Sequence, residues 1–219
     1  MDTRDSYDAI AANYQELVAG ELPGKVFDRA MLAAFAELVL AGQPAPVADI
    51  GCGPGHVTSH LSSLGLNAFG IDVSSGMIDV ARAAHPALRF ETGTMTALTL
   101  PDASLAGIVA RYSTIHLTDA ELPIAFGEFY RVLAPEGHVL LDFQVGNERI
   151  ERTEAYGRPV SITAFRRPVA AMVTALESAG FDVIAQLSRA PDSREKVEQC
   201  HLIARRWTVA AELADQRGL

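Results

Sequence analysis

Val47-Ala48-Asp49-Ile50-Gly51-Cys52-Gly53-Pro54-Gly55-His56 reads as an apolar strand carrying one acid, followed by three alternate glycines that lead into a helix. Glycine has no Cβ, so the backbone there can turn tightly and come into contact with a bound ligand. Free N–H groups at the start of the next helix attract a carboxylate or phosphate. A second strand, Ala68-Phe69-Gly70-Ile71-Asp72, ends in a carboxylate about 20 positions after the first glycine, the spacing that sets an acid on a ribose hydroxyl pair. Together the two strands predict a ligand that contains a nucleoside.

A dinucleotide fingerprint, G-x-G-x-x-G, needs a third glycine for close helix–strand packing around a pyrophosphate. Counted from Gly51, that position is His56, and the match fails. What stands here is D-x-G-x-G-x-G. Three further segments follow in order: Gly70-Ile-Asp-Val-Ser-Ser-Gly-Met77, Leu100-Pro-Asp-Ala-Ser-Leu105 and Arg131-Val-Leu-Ala-Pro-Glu-Gly-His138. With these the chain, over roughly residues 5 to 206, resembles the class I S-adenosylmethionine (SAM)-dependent methyltransferases. The resemblance implies SAM as cofactor and methyl transfer to a small molecule, with oxygen the leading acceptor and nitrogen or carbon open. Two other readings stand beside it. One is an NAD(P)-dependent oxidoreductase, which His56 disfavours; the other is a protein that binds SAM without transferring its methyl group.

The chain has 219 residues, 49% of them hydrophobic, enough for one domain with a full core. A net charge of −9 argues against a nucleic-acid surface, which is normally basic. Cys52 and Cys200 are the only cysteines, too few for a disulfide framework and not at metal spacing. A reduced, cytoplasmic setting is expected. Met1-Asp-Thr-Arg-Asp-Ser lacks the apolar core of a signal peptide, and no stretch reads as a membrane span. Oligomeric state is not legible.

Helices are expected at 6–19 and 24–41, the second with Leu32, Phe35, Ala36 and Val39 at core spacing. Strands at 47–50, 68–72, 88–91, 105–111 and 138–145 then alternate with helices near 56–64, 75–84 and 119–133. This alternation implies a parallel sheet with right-handed crossovers. Residues 146–165 read as a polar, irregular insertion, and a helix at 167–179 ends at Gly180. Strands near 181–189 and 197–206, joined by a short polar link, read as a hairpin that places an antiparallel strand in the sheet. The expectation is an α/β, Rossmann-like, doubly wound sheet of seven strands in three layers, α/β/α. Residues 1–206 form one domain, with a helical cap at 1–42 and a substrate lid at 146–166; 207–219 is a frayed tail.

Carried onto this chain, the resemblance places Asp49, Gly51, Gly53 and Gly55 around the methionine end of SAM and Asp72 on its ribose. Met77 is offered to the adenine. Relatives commonly follow the third strand with Gly-Asp, whose carboxylate accepts from the adenine amino group; here the pair is Gly93-Thr94. The Thr94 hydroxyl can still accept that bond, more weakly than a charged group would, and the Met95 N–H can still donate. Arg111 ends the fourth strand, where a doubly wound sheet opens its crevice, and Tyr112 follows it. Of the histidines, His116 is the candidate base. His56 and His60, one turn apart, lack a third metal ligand. Tyr7 and Tyr14 share a helix face in a Tyr-Asp-x-x-Ala-x-x-Tyr segment that in similar enzymes folds over the SAM pocket. Tyr14 is assigned to the cofactor and Tyr7 to the substrate. Gln144, Arg149, Tyr156 and Arg158 complete the substrate candidates; five arginines against three glutamates in 146–168 suggest a basic lid for an anionic acceptor.

Overall fold

The computed structural model describes residues 2–18 and 20–207. Expectations for residue 19 and for the tail at 208–219 lie outside the described residues. The described residues form six α-helices, α1 (Thr3–Val18), α2 (Val26–Leu40), α3 (His56–Ser63), α4 (Ser75–Ala84), α5 (Leu122–Val132) and α6 (Val169–Ser178), and nine strands. These are β1 (Val47–Ile50), β2 (Ala68–Asp72), β3 (Arg89–Thr92), β4 (Leu105–Arg111), β5 (Leu133–Gln144), β6 (Arg149–Ala155), β7 (Arg158–Phe165), β8 (Phe181–Arg189) and β9 (Gln199–Arg206).

Seven strands form one sheet in the order β3-β2-β1-β4-β5-β9-β8. The contacts of β1 with β2 and β4, and of β4 with β5, are parallel, whereas β9 runs antiparallel to both β5 and β8. The expected α/β architecture and terminal hairpin are therefore present. Strand residues alternate between two apolar layers. Ile108, Ala110, Val139 and Leu141 pack with Phe126 and Phe129 of α5 and Leu176 of α6. Val109, Leu140 and Ala106 pack on the other face with Leu32, Phe35 and Val39 of α2 and Leu61 of α3. The period of two sends alternate residues to opposite faces, which is why both faces need helices.

Two differences from expectation have physical reasons. Strand β5 begins at Leu133, because the chain leaves α5 directly into extended backbone and Leu133 pairs with Leu105 ahead of a register shift. The segment expected to be irregular is a two-stranded hairpin, β6–β7, which pairs within itself and not with the main sheet. Its turn, Tyr156-Gly157, has φ of 53° and 67°, the positive pair that suits a tight hairpin. Val160 and Ile162, alternate residues of β7, bury against Ile10 of α1. The polarity of β6 hides this strand, since only one face of the hairpin meets apolar surface.

Phe126 is fully buried between helix and sheet. Phe126→Ala should cost about 3–5 kcal/mol of unfolding free energy in urea titration, with secondary structure retained.

Candidate active site

The C-terminal ends of β1 and β4 are neighbours, and the sheet continues from them in opposite directions, which opens a crevice. Two hollows share a wall there. The larger, about 370 Å³, is lined by Gly51, Gly53, Asp72, Met77, Thr94, Met95, His116 and Tyr7, among others. The smaller, about 80 Å³, lies among Lys25, Asp28, Asp49, His56 and Glu195. Tyr14, Gly51, Gly53, Arg111 and Tyr112 line both.

The glycine loop has a shape that glycine takes readily and other residues do not. Gly51, Gly53 and Gly55 all have positive φ, a region side-chain-bearing residues seldom enter. A Cβ on Gly51 would sit 2.2 Å from the Ser113 Cβ, so the first turn passes directly under the β4 rim. Ser113 Oγ in turn donates to the Ile50 carbonyl at 2.7 Å. One carboxylate closes this loop against the next: Asp72 accepts from the Gly53 N–H at 2.8 Å and from the Ser74 N–H at 2.9 Å. Burial raises the Asp72 pKa, and those two N–H donors work against it. Each oxygen keeps a lone pair for a further donor.

Helix α1 roofs the larger hollow. The Asp8 carboxylate accepts from the Ser74 hydroxyl at 2.6 Å and from the Gly76 N–H at 2.8 Å, tying α1 to the start of α4. Ser6 Oγ accepts from the Ser161 N–H of β7 at 2.8 Å. Tyr7 and Tyr14 meet edge to face with ring centres 6.2 Å apart, and Tyr14 meets Tyr156 in the same way at 6.2 Å. The Tyr7 hydroxyl is 2.9 Å from His116 Nε2, and His116 Nδ1 is 2.7 Å from the Thr163 carbonyl oxygen. Burial lowers the His116 pKa, the Thr163 carbonyl opposes the shift and Arg152 adds to it. Burial also pushes the Tyr14 phenol up to about 12.

Behind the crevice, Arg111 is ion-paired with Asp28 and Asp142, and Asp142 also bonds His201 Nδ1 at 2.8 Å. Arg189 reaches Asp28 at 3.3 Å. Burial pushes the Asp142 carboxyl up, but Arg111 and His201 outweigh it and hold the group below its usual range. Removing one member of such a buried network costs about 3–5 kcal/mol, because the partner charge is stranded.

The candidates named from sequence thus divide. Gly51, Gly53, Asp72, Met77, Thr94, Met95, Tyr7, Tyr14, Tyr112 and His116 converge on the larger hollow. Arg111 lines it too, but its guanidinium is engaged by two carboxylates. Asp49 faces α3, where it accepts from the Thr58 hydroxyl at 2.6 Å, and it borders the smaller hollow. Gly55 is the N-cap of α3. Tyr156 reaches the site through Tyr14. Gln144 stands opposite Gln199 at the end of β5, and Arg149 pairs with Glu151 at 2.8 Å on the exposed hairpin. Gln144, Arg149 and Arg158 line neither hollow. Two other expected lid cations are also engaged, Arg166 with Glu148 and Arg167 with Asp119. The sequence reading missed Asp8, Thr163 and the Asp28 network. Asp8 alone had a signal, as the acid of the Tyr-Asp-x-x-Ala-x-x-Tyr segment.

Tyr112 has φ of 50° and a buried hydroxyl with no hydrogen-bond partner among the described residues, a strained position at the wall between the hollows. Among the described residues no cluster of three His, Cys, Asp or Glu side chains could hold a metal ion, and no helix is long and apolar enough to cross a membrane.

Burial raises the Asp49 carboxyl to about 7, with the Thr58 hydrogen bond opposing. The folded protein then holds this proton more tightly than the unfolded chain, so the group's contribution to stability falls as pH rises from about 4 towards 7. Asp49→Asn removes that loss. Urea unfolding should show the variant gaining on the wild type between pH 5 and pH 8; an unchanged difference would contradict the assignment.

A family model described as a methyltransferase domain matches residues 47–137. A malonyl-[acyl-carrier protein] O-methyltransferase of Yersinia pestis is 35% identical over 94 residues, which cover 43% of this chain and 34% of that protein. An uncharacterized methyltransferase of Oceanobacillus iheyensis is 29% identical over 147 residues, covering 66% of this chain and 65% of that one. The chain spans less than two thirds of the length of either relative. A SAM-dependent methyltransferase of Methanosarcina mazei shares the fold with a TM-score of 0.68 at 19% identity, covering 75% of this chain and 94% of that one. With the glycine loop, Asp72 and the sheet order in place, residues 47–137 match the methyltransferase domain family, and the chain has the fold of SAM-dependent methyltransferases.

Proposed function

We propose that the protein transfers the methyl group of SAM to an oxygen of a small-molecule acceptor by in-line displacement. The observation that carries this reading is the convergence of the glycine loop, Asp72, Thr94, Met95 and His116 on one hollow of about 370 Å³, within the ordinary range for small-molecule sites. The residues fit the cofactor. A Cβ on Gly53 would meet nothing nearer than Tyr14 Cε1 at 3.8 Å, so the loop leaves room for a ligand to approach the backbone there. The free lone pairs of Asp72 suit two ribose hydroxyls, and the Thr94 hydroxyl with the Met95 N–H suits an adenine edge. The cofactor supplies an electrophilic methyl on a sulfonium.

The chain's part is to hold acceptor and methyl in line and keep water out. Helix α1 forms the roof that does so, the β6–β7 hairpin braces it from outside, and we assign the lid role to the pair. The cap at 1–42 and the lid at 146–166 belong to one domain with the sheet. The acceptor meets Tyr7 and Tyr112, with His116 behind Tyr7. An oxygen acceptor accords with a histidine beside the methyl and with the O-methyltransferase named for the Yersinia relative. Both cysteines are buried and free, in keeping with a cytoplasmic protein.

Isothermal titration tests the reading. The wild type should bind SAM and its demethylated product but not NAD. Asp72→Ala should weaken SAM binding about 10- to 100-fold, the value of a hydrogen bond to a charged group. Binding of NAD in preference to SAM, or undiminished affinity in Asp72→Ala, would sink it.

A further inference from the structure

Three elements distant in sequence meet at His116. A carbonyl has no proton to give, so the 2.7 Å contact with Thr163 puts the proton of the neutral ring on Nδ1 and leaves a lone pair on Nε2. That lone pair is occupied by the Tyr7 hydroxyl, 2.9 Å away on α1. Both side chains line the hollow that holds Asp72 and Thr94. The imidazole therefore does not present its lone pair to the hollow; the Tyr7 oxygen stands between.

We propose that Tyr7 and His116 form a proton relay in which Tyr7 touches a hydroxyl acceptor and His116 receives the proton through it. The proposal rests on the methyltransferase reading above and narrows its substrate class to alcohols and phenols. A carboxylate acceptor is already ionised at neutral pH and has no proton for the relay. In the step, the acceptor O–H proton moves to the Tyr7 oxygen as the Tyr7 proton moves to His116 Nε2. The acceptor oxygen bonds to the methyl carbon, and the pair of the broken C–S bond stays on sulfur, which becomes a neutral thioether. The imidazolium keeps Nδ1–H on the Thr163 carbonyl and later releases its new proton to water.

The surroundings suit this arrangement. Burial raises the Tyr7 phenol well above its ordinary value, and Tyr14, Asp72 and Tyr156 push the same way against Arg152. A standing tyrosinate is thus disfavoured, and Tyr7 must gain a proton as it loses one. Around His116, burial and Arg152 of β6 favour the neutral ring over the opposing Thr163 carbonyl, so the acceptor nitrogen is available near pH 7.

Two measurements on the intact protein test the relay. The first is ¹⁵N NMR of the histidine rings, with His116 identified by its loss in His116→Gln. The expected result is the Nδ1–H tautomer, and a His116 pKa that rises in Tyr7→Phe because a donor to the neutral ring is gone. The second is release of the demethylated cofactor from SAM, with catechol, 4-nitrophenol and benzyl alcohol as hydroxyl probes and malonyl-pantetheine as a carboxylate probe. Tyr7→Phe and His116→Gln should each lower kcat on a hydroxyl probe about 100-fold or more, and the double variant no further. Glutamine can still accept from Tyr7 and donate to Thr163, so a purely structural histidine would leave kcat intact. The fall in rate at acid pH should vanish in His116→Gln.

An Nε2–H tautomer overturns the relay. So does an unchanged kcat in either single variant, or losses that multiply in the double one. Transfer to no hydroxyl probe by a wild type that binds SAM also overturns it. Failure of the wild type to bind SAM would instead overturn the methyltransferase reading.

Discussion

A single carboxylate, Asp72, fastens the two turns on which the site is built. It stands at the end of β2 and takes one N–H from the glycine loop after β1 and another from the turn that opens α4. Neither turn can shift without losing a charge-assisted bond in a buried place, where such bonds are strong. Ser74, whose N–H is that turn's donor to Asp72, also donates its hydroxyl to Asp8, and Asp8 holds the roof. The loop, the second strand and the roof are thus linked through three consecutive residues, Asp72 to Ser74. This concentration leaves Gly51 free to press under Ser113, since its position is already determined from the β2 side.

How much of this was readable beforehand follows from the range of each interaction. The strand-to-glycine-to-helix signal is local, and so are the apolar runs that make β1, β4 and β5; composition and spacing alone place them. The order of the sheet follows from general rules of connection, and the β8–β9 hairpin from its short polar link. The β6–β7 hairpin escaped because its outward strand, Arg149–Ala155, carries charges at four of its seven positions. Only Val160 and Ile162 on β7 betray the alternation, and their partner Ile10 lies at the other end of the sequence.

The site divides in the same manner. Glycines and an acid at fixed spacing mark the candidate cofactor face. The charge network behind it joins Asp28, Arg111, Asp142, Arg189 and His201, drawn from α2 and four strands, and no local pattern marks any of them as partners. Arg111 reads along the sequence as a ligand-binding cation; in space it lines the hollow and is also the centre of a buried ion cluster. The arginines near the hairpin misled for a similar reason, because three of them are matched by nearby carboxylates. Counting charges along a chain does not reveal which of them are already neutralised in space.

The long separation between α1 and its anchors has a consequence for biogenesis. Ser6 finds its partner Ser161 only after 155 further positions have been synthesised. Until β7 emerges from the ribosome, the helix that carries Tyr7 and Tyr14 lacks its apolar seat on Val160 and Ile162. The nascent chain therefore passes through a stage in which β1 to β5 have been made while the apolar face of α1, like the β5 edge that β9 later covers, still waits for its partner.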